Sequence, residues 1–271
     1  MLAARALLAG LSIARLLPGA DTEARRFAPS YASSTVVHAA SQQSGTFAPN
    51  TIVTLYGRQL AYVTRAMSGD DVRDGLMPTV LSGTGVKVVI DSVPAPIYFV
   101  SPGQINLLLP AGLKEGVRKL YVSLDGIAGP VVEFHVAASA PGLFLQQPGQ
   151  ALAVRLDGSL ASQENPARPG DTLILFATGL GQTEGPPPRS GEVAKAAAVL
   201  MAINAFGVKL NDRPVPRDHI YYAGLAPGFA GLYQINLRIP DDAPPDPEVR
   251  LLTADAESPA AVRLPLRPKQ E

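Results

Sequence analysis

The strongest constraint on this chain is a stretch that it contains twice. Residues 101–110 read Ser-Pro-Gly-Gln-Ile-Asn-Leu-Leu-Leu-Pro, and residues 226–240 contain Ala-Pro-Gly, a short insert and Gln-Ile-Asn-Leu-Arg-Ile-Pro. A Pro-Gly turn, a strand that begins Gln-Ile-Asn and a closing proline therefore recur in the same order. The sequence predicts a tandem repeat in which each copy folds around its own core.

The duplication keeps a constant offset wherever the two copies are ungapped. Pro49 matches Pro169 at an offset of 120 residues (169 − 49), and Gln104 matches Gln234 at an offset of 130 (234 − 104). The second copy has therefore gained residues between these two points. Insertions in loops are what a shared sheet framework tolerates, so both copies should have the same strands.

Short strands joined by turns account for most of the sequence. The 26 Pro and 25 Gly lie among runs rich in Val, Ile, Leu and Thr, and turn signals recur about every 8 to 12 residues. Residues 195–206 are ambiguous, because their Ala content favours a helix while the first copy favours a strand, which we predict. Residues 261–266 are predicted to be the last strand. About seven short strands per copy, without crossover helices, indicate an all-β chain of two tandem immunoglobulin-like β-sandwich domains.

Composition divides the chain into four segments. Residues 1–20 contain one early cation, Arg5, then an apolar run and a Pro-Gly-Ala break, which is typical of a secretory signal peptide; a disordered or amphipathic leader is the alternative. Residues 21–34 are expected to be a flexible lead, residues 35–140 the first domain and residues 141–271 the second. No later run approaches the roughly 18 apolar residues that cross a bilayer. The mature chain is therefore expected to have no transmembrane segment.

Charge and residue types exclude several classes of function. Lys plus Arg equal Asp plus Glu at 23 each, so no net field would attract nucleic acid. The absence of cysteine excludes disulfides, thiolate metal sites and cysteine nucleophiles. His38, His135 and His219 are the only histidines, and none has metal-ligand spacing with another. We predict no catalytic, cofactor-binding or metal-binding residue.

Two loops carry acidic clusters that could hold calcium through oxygen ligands. Neither has the spaced Asp-x-Asp-x-Asp-Gly pattern, so turn formation in contact with solvent is the favoured interpretation. The clusters are Asp70, Asp71 and Asp74 in the first copy and Asp241, Asp242 and Asp246 in the second.

The repeated Gln-x-Asn pair is the polar signature of both copies. Period-two alternation places Gln104 with Asn106, and Gln234 with Asn236, on one face of their strands. These amides could read a ligand, since each offers a donor and an acceptor. A structural role through bonds to neighbouring backbone is favoured, because the same pair occurs in both copies and buried amides must be satisfied.

Aromatic residues surround the insert of the second copy. Tyr221, Tyr222 and Phe229 are candidates for a partner surface, and Phe229, flanked by Gly228 and Gly231, is the one expected at a loop tip. Exposed rings of this kind would suit a protein or a sugar. The chain has no Trp, which weakens the interpretation as a carbohydrate-binding surface.

Several further motifs follow one another in a fixed order along the two copies. They include His38-Ala39-Ala40-Ser41, Val93-Pro94-Ala95-Pro96, Ala140-Pro141-Gly142-Leu143-Phe144 and Phe176-Ala177-Thr178-Gly179-Leu180-Gly181. This series resembles an uncharacterised family, the C-terminal domain family first noticed as many paralogues in Solibacter and other acidobacteria, generally on exported proteins. The resemblance covers about residues 35–266, and it implies export and units of the transcription-factor-type immunoglobulin-like fold, but no activity.

The sequence as a whole predicts an exported, non-catalytic module that acts by binding or surface display. Its partner would be a protein or glycan at the cell surface, and the long loops at residues 61–83 and 182–190 are where such folds usually place recognition. Three alternatives stay open: a carbohydrate-binding accessory module, an enzyme of unknown type with an inter-domain site, and a spacer without a ligand.

Overall fold

A computed structural model describes residues 28–267 of the chain. The expected signal peptide at residues 1–20 lies outside the described residues. The chain divides into two compact units: unit 1 runs to Ala137 and includes Pro188–Val193, whereas unit 2 contains Ala138–Pro187 and the chain from Ala194 onward. No helix within the described range is long and apolar enough to cross a membrane.

The strands of unit 1 form two sheets. The first sheet is antiparallel with the order β1-β3-β8-β7-β4, and the second has the order β2-β11-β9-β5-β6 with β10 beside β9. Three-residue 3-10 helices lie at Ser33–Thr35 and Gly69–Asp71. The strands are β1 (Val36–His38), β2 (Thr46–Phe47), β3 (Ile52–Tyr56), β4 (Arg65–Ala66), β5 (Val86–Ile90), β6 (Val93–Pro94), β7 (Ile97–Ser101), β8 (Gln104–Leu108), β9 (Gly116–Leu124), β10 (Ile127–Ala128) and β11 (Val132–Val136).

The apolar side chains that alternate along the strands of both sheets in unit 1 face one shared core. In β11, which reads Val-Glu-Phe-His-Val, the first, third and fifth side chains are buried and the charged or polar residues between them are exposed, as period two requires. Val88, Leu120 and Phe134 of the second sheet belong to the same buried cluster as Leu55 and Ile105 of the first. Unit 1 is therefore a β-sandwich.

Unit 2 repeats this plan with a smaller second sheet. Its first sheet has the order β12-β16-β21-β20-β17 with β15 beside β16, its second has the order β19-β18-β22, and β13 and β14 form a separate hairpin. Short 3-10 helices lie at Ile203–Ala205 and Arg217–His219. The strands are β12 (Gly142–Leu143), β13 (Leu145–Gln147), β14 (Gln150–Ala151), β15 (Ala153–Arg155), β16 (Thr172–Thr178), β17 (Ala198–Val199), β18 (Gly207–Leu210), β19 (Arg213–Pro214), β20 (Ile220–Leu225), β21 (Tyr233–Arg238) and β22 (Val249–Leu252).

The register of the central strand pair shows the duplication directly. Leu55 of β3 lies opposite Ile105 of β8, and Leu175 of β16 lies opposite Ile235 of β21. Ile105 and Ile235 are both 0% exposed, and each contributes to the core of its own unit. Both copies are thus β-sandwiches with an equivalent central strand pair, which confirms the prediction of an all-β chain of two immunoglobulin-like β-sandwich domains.

The prediction of one strand over residues 195–206 is wrong for most of that range. The chain is a strand only at β17, where Ala198 and Val199 pair with Leu225 and Gly224; Leu200 adds one isolated β-bridge, and the 3-10 helix described above follows. Alanine has a low preference for strands. The segment is consequently extended only where an edge of the sheet provides hydrogen bonds.

The last predicted strand, residues 261–266, is also absent as a regular element. Arg263 and Leu266 form isolated β-bridges with several different segments. Pro265 has no N–H to donate, and a proline inside a run restricts it to the edge of a sheet or to irregular structure. Unit 2 therefore has only β22 where unit 1 has the longer pair β9 and β11.

Candidate functional site

The long loops expected to carry recognition are partly fixed by backbone pairing within unit 1. Leu76, in the loop at residues 61–83, forms a β-bridge with Glu192. The N–H of Met77 donates to the carbonyl oxygen of Gly191 at 2.9 Å. A loop whose backbone is paired in this way is a poorer candidate for an adaptable binding surface than a free one.

The acidic loop residues serve local structure. The carboxylate of Asp71 accepts the backbone N–H of Ser68 at 2.8 Å and pairs with Arg65 at 2.5 Å, and these contacts, the hydrogen bond from Ser68 first, lower its pKa. In the second cluster, Asp246 accepts the N–H of Leu266 at 3.1 Å. Across residues 28–267, no group of three or more His, Asp or Glu side chains is close enough to hold a metal ion.

The three histidines have different surroundings. The buried His38 accepts the N–H of Ala40 through Nδ1 at 3.3 Å, so it organises the loop after β1. His135 is exposed on β11. Nε2 of His219 lies 3.2 Å from the guanidinium of Arg238. Each imidazole thus has a different environment.

The amide pair of unit 1 is buried, and the side-chain oxygen of Asn106 accepts two hydrogen bonds. Nε2 of Gln104 donates to Oδ1 of Asn106 at 2.8 Å, and the hydroxyl of Thr54, on the neighbouring strand, donates to the same oxygen at 3.1 Å. Gln104 and Asn106 are only 3% and 5% exposed. This arrangement satisfies Oδ1 in the way that a buried amide requires.

The amide pair of unit 2 has the same internal bond but a different environment. Nε2 of Gln234 donates to Oδ1 of Asn236 at 2.7 Å, yet the residue opposite Asn236 on β16 is Ile174, which has no hydroxyl. Both amides are half-buried. Within the described residues, Oε1 of Gln234 and Nδ2 of Asn236 make no further hydrogen bond. One acceptor and one donor are therefore left over on the outer face of the sheet.

Tyr222 lies beside this amide pair, on the adjacent strand. It is opposite Asn236 in the register, so the Cβ atoms of the two residues are about 5 Å apart. Its hydroxyl donates to the carbonyl of Leu225 at 2.7 Å and accepts the N–H of Ala198 at 3.1 Å. Burial raises the pKa of this hydroxyl, which therefore stays protonated at neutral pH.

Gly224 makes room for the Tyr222 ring. A Cβ at this position would lie 2.7 Å from the tyrosine hydroxyl and 2.1 Å from the carbonyl oxygen of Ala198, closer than atoms can approach. The ring therefore runs along β20 over the glycine, with its far end fixed to backbone. Any larger residue at this position would displace either the ring or β17.

Two exposed side chains extend the surface beyond Tyr222. The register of β20 shifts between Ile220 and Tyr222, which is a β-bulge, and Tyr221 at this bulge is 58% exposed. The N–H of Leu200 donates to the carbonyl of Ala223 at 3.0 Å, so the pairing with β20 continues one residue beyond β17. Met201, the next residue, is also 58% exposed and lies at the same end of β20 as Tyr221. We call Met201, Tyr221, Tyr222, Gln234 and Asn236 the β20 patch.

Phe229 lies away from the β20 patch. It is half-buried in the turn between β20 and β21, where its carbonyl accepts the N–H of Ala194 at 2.9 Å. Ala226, at the start of that turn, is five residue steps beyond Tyr221 along the strand, a span of about 17 Å. The predicted aromatic trio therefore divides into an adjacent tyrosine pair and a separate phenylalanine.

Sequence reasoning missed Met201 and the difference between the two amide pairs. Met201 lies within residues 195–206, which were predicted to be a continuous strand, so nothing assigned it to a surface. The difference between the pairs could have been found by alignment of the copies, because Thr54 and Ile174 occupy matching positions at the offset of 120 (174 − 54). The hydroxyl present in one copy and absent in the other was the available signal.

Comparison with known proteins supplies no family. No protein-family model matches the chain, and no curated protein matches it. Two surface glycan-binding proteins are structurally similar at 11% identity, one from Prevotella bryantii (TM-score 0.26, covering 85% of this chain and 41% of that one) and one from Bacteroides ovatus in complex with mixed-linkage heptasaccharide (TM-score 0.32, 82% and 43%). Domains 5 and 6 of the S-layer protein SbsC are similar at 10% identity (TM-score 0.27, 89% and 100%).

The chain spans about two fifths of the length of these two glycan-binding proteins. The assignment of the fold depends on the strand register and on the two cores described above.

Proposed function

We propose that this chain is an exported, non-catalytic binding module whose recognition surface is the β20 patch of unit 2. The observation that carries the proposal is the contrast between equivalent faces of the two copies. In unit 1 the amide pair is buried and its shared oxygen accepts a hydroxyl. In unit 2 the matching pair is half-exposed, beside two side chains that are each 58% exposed.

The composition of the β20 patch favours binding over catalysis. Aromatic and Met side chains are enriched in protein recognition surfaces, and a cluster of them open to solvent is costly unless a partner covers it. The patch contains no carboxylate, imidazole or amine, and the hydroxyl of Tyr222 is engaged by backbone. A molecule can be held here, but the patch offers no acid and base pair to act on it.

Export is supported by the leader-like residues 1–20, with an early cation and an apolar run. The test is to fractionate cells that produce the full-length protein and to sequence the N-terminus of the recovered chain. Export predicts recovery outside the cytoplasm with the leader removed. Recovery of the full-length chain in the cytoplasm alone would contradict this part of the proposal.

Binding is tested by co-sedimentation of the purified protein with an envelope fraction from its own cells. We expect the double variant Met201→Ala/Tyr221→Ala to lose at least about tenfold in affinity, because truncation of exposed aromatic anchors typically costs this much or more. Leu156→Ala is the matched control, since Leu156 is 70% exposed in the same unit but lies on the hairpin after β15. Equal retention of all three proteins would contradict the proposal.

A further inference from the structure

We propose that the ligand of the β20 patch is a neutral glycan, which a sugar ring contacts by stacking on the tyrosines and by hydrogen bonds from its hydroxyls to Gln234 and Asn236. This inference rests on the proposed function and names the chemical class of the ligand. Four features of the patch lead to it: a fixed ring, an unused donor and acceptor, the absence of free charge, and the exposure of the amide pair in the second copy alone.

The ring of Tyr222 is held in place before any ligand arrives. Its hydroxyl is bonded to the backbone at Ala198 and Leu225, and the missing side chain of Gly224 lets the ring follow the strand. An aromatic ring held along a sheet face presents a flat apolar surface without losing rotamer freedom on binding. The C–H face of a sugar ring is a partner of matching shape and polarity.

The amides next to this ring have the hydrogen-bonding capacity that sugar hydroxyls need. Asn236 keeps an unused donor in Nδ2 and Gln234 an unused acceptor in Oε1. Each hydroxyl both donates and accepts, so neighbouring hydroxyls of one sugar can satisfy both atoms. The internal bond at 2.7 Å fixes the two amides relative to each other, so their free atoms are positioned in advance.

The electrostatics of the patch favour a ligand without charge. The patch consists of Met, Tyr, Gln and Asn side chains and contains no carboxylate, imidazole, ammonium or guanidinium group. The guanidinium of Arg238, on the same strand as the amides, already pairs with Asp241 at 3.3 Å and contacts His219 at 3.2 Å. The patch contains no free cation to pair with the carboxylates of an acidic polysaccharide, so the free-energy cost of desolvating those carboxylates would not be offset.

Only the second copy leaves its amide pair half-exposed. In the first copy, Thr54 occupies the place of Ile174 and completes the hydrogen bonds of Asn106 Oδ1, and the amides are buried. We therefore assign a structural role to Gln104 and Asn106 and a ligand-reading role to Gln234 and Asn236. The same sequence motif serves stability in one copy and recognition in the other.

The test is affinity gel electrophoresis with soluble neutral polysaccharides (β-glucan, xylan, galactomannan and pullulan) and with alginate as the acidic comparison. We expect at least one neutral polysaccharide, and not alginate, to retard the protein. Asn236→Asp retains the oxygen that accepts from Gln234 but removes the free donor, so it should weaken retardation about tenfold. Tyr221→Ala should do the same, and Leu156→Ala should behave like the unmodified protein.

Tyr222→Ala is not a suitable test of ligand binding, because it also removes the hydrogen bonds that join the Tyr222 hydroxyl to the backbone of β17. Tyr222→Phe keeps the ring and loses only those hydroxyl bonds, so we expect a smaller loss of affinity, of several fold, with a folded protein by circular dichroism. If Asn236→Asp and Tyr221→Ala are folded and are retarded as strongly as the unmodified protein, the glycan assignment is overturned.

Treatment of the envelope fraction separates failure of this inference from failure of the proposed function. Periodate cleaves vicinal diols of sugars, whereas trypsin destroys protein partners. The glycan assignment predicts that patch-dependent co-sedimentation is lost after periodate and survives trypsin. The opposite pattern would leave the β20 patch a binding surface but refute the glycan assignment. Co-sedimentation that is insensitive to Met201→Ala/Tyr221→Ala would refute both.

Discussion

Replacing Tyr31 by Phe should destabilise unit 1 by about 2 kcal/mol. The hydroxyl of Tyr31 accepts the N–H of Val122 at 2.6 Å and donates to the carbonyl oxygen of Pro130 at 2.7 Å. Val122 is 0% exposed, so no water replaces the hydroxyl at its N–H, whereas Pro130 is at the surface. A buried donor left unpaired costs about 1–3 kcal/mol, and loss of the second, solvent-accessible bond adds less than about 1 kcal/mol.

The measurement is calorimetric unfolding of the whole chain and of two variants. For a unit of this size, about 2 kcal/mol corresponds to a fall in the melting temperature of roughly 6 °C in the transition of unit 1. The control is Tyr121→Phe, because Tyr121 precedes Val122 on β9 and its hydroxyl makes no hydrogen bond within the described residues. If the two variants agree within about 0.5 kcal/mol, the bridging role of the Tyr31 hydroxyl is refuted.

Three further outcomes are expected. Gly224→Ala should lower the free energy of unfolding by at least about 2 kcal/mol, because the added Cβ would lie 2.1 Å from the carbonyl oxygen of Ala198. It should also increase the rate of amide hydrogen exchange in β17, and an unchanged rate would contradict this. Thr54→Val should lower the stability measured by urea unfolding by about 1 kcal/mol, since it removes one donor from Asn106; a neutral result would show that the hydroxyl is dispensable. Burial raises the pKa of the Tyr31 hydroxyl above its ordinary value of 10.0, so the folded state favours the protonated hydroxyl. The stabilisation that results is complete below pH 10 and is lost as the pH rises through the pKa of the folded state. Tyr31→Phe should therefore show a smaller loss of stability in alkaline urea titrations than the unmodified chain, and an equal loss would exclude Tyr31 as the source.

The framework of both units could be predicted because it depends on local alternation. The Gln-Ile-Asn strands place one apolar side chain between two amides, and period-two alternation then lets only the apolar side chain point into the core of the sandwich. Ile105 and Ile235 are accordingly buried in matching positions. A tight turn also lies at Asp157 and Gly158, where the N–H of Arg155 donates to the carbonyl of Ser159, and such a dipeptide favours one class of hairpin.

The details of the β20 patch could not be predicted, because they depend on contacts between distant residues. The position of the Tyr222 ring requires a bulge in β20, a glycine two residues later and the backbone of Ala198 from another strand. Residues 28–34, the described part of the segment that was expected to be a flexible lead, also make contacts that local sequence does not predict. Ser30 and Arg58 exchange backbone hydrogen bonds at 3.0 and 2.8 Å, although nothing in the local sequence of the lead indicates a partner.

The inclusion of Pro188–Val193 in unit 1 also has a consequence for the order in which the protein is made. Ribosomes deliver the chain from its N-terminus, and domains generally fold as they emerge. Unit 1 cannot form its bonds from Met77 to Gly191 until a further 50 residues, 138–187, have been synthesised. A nascent chain stalled before residue 188 should therefore be cleaved by protease near Met77 more readily than one that has passed residue 193.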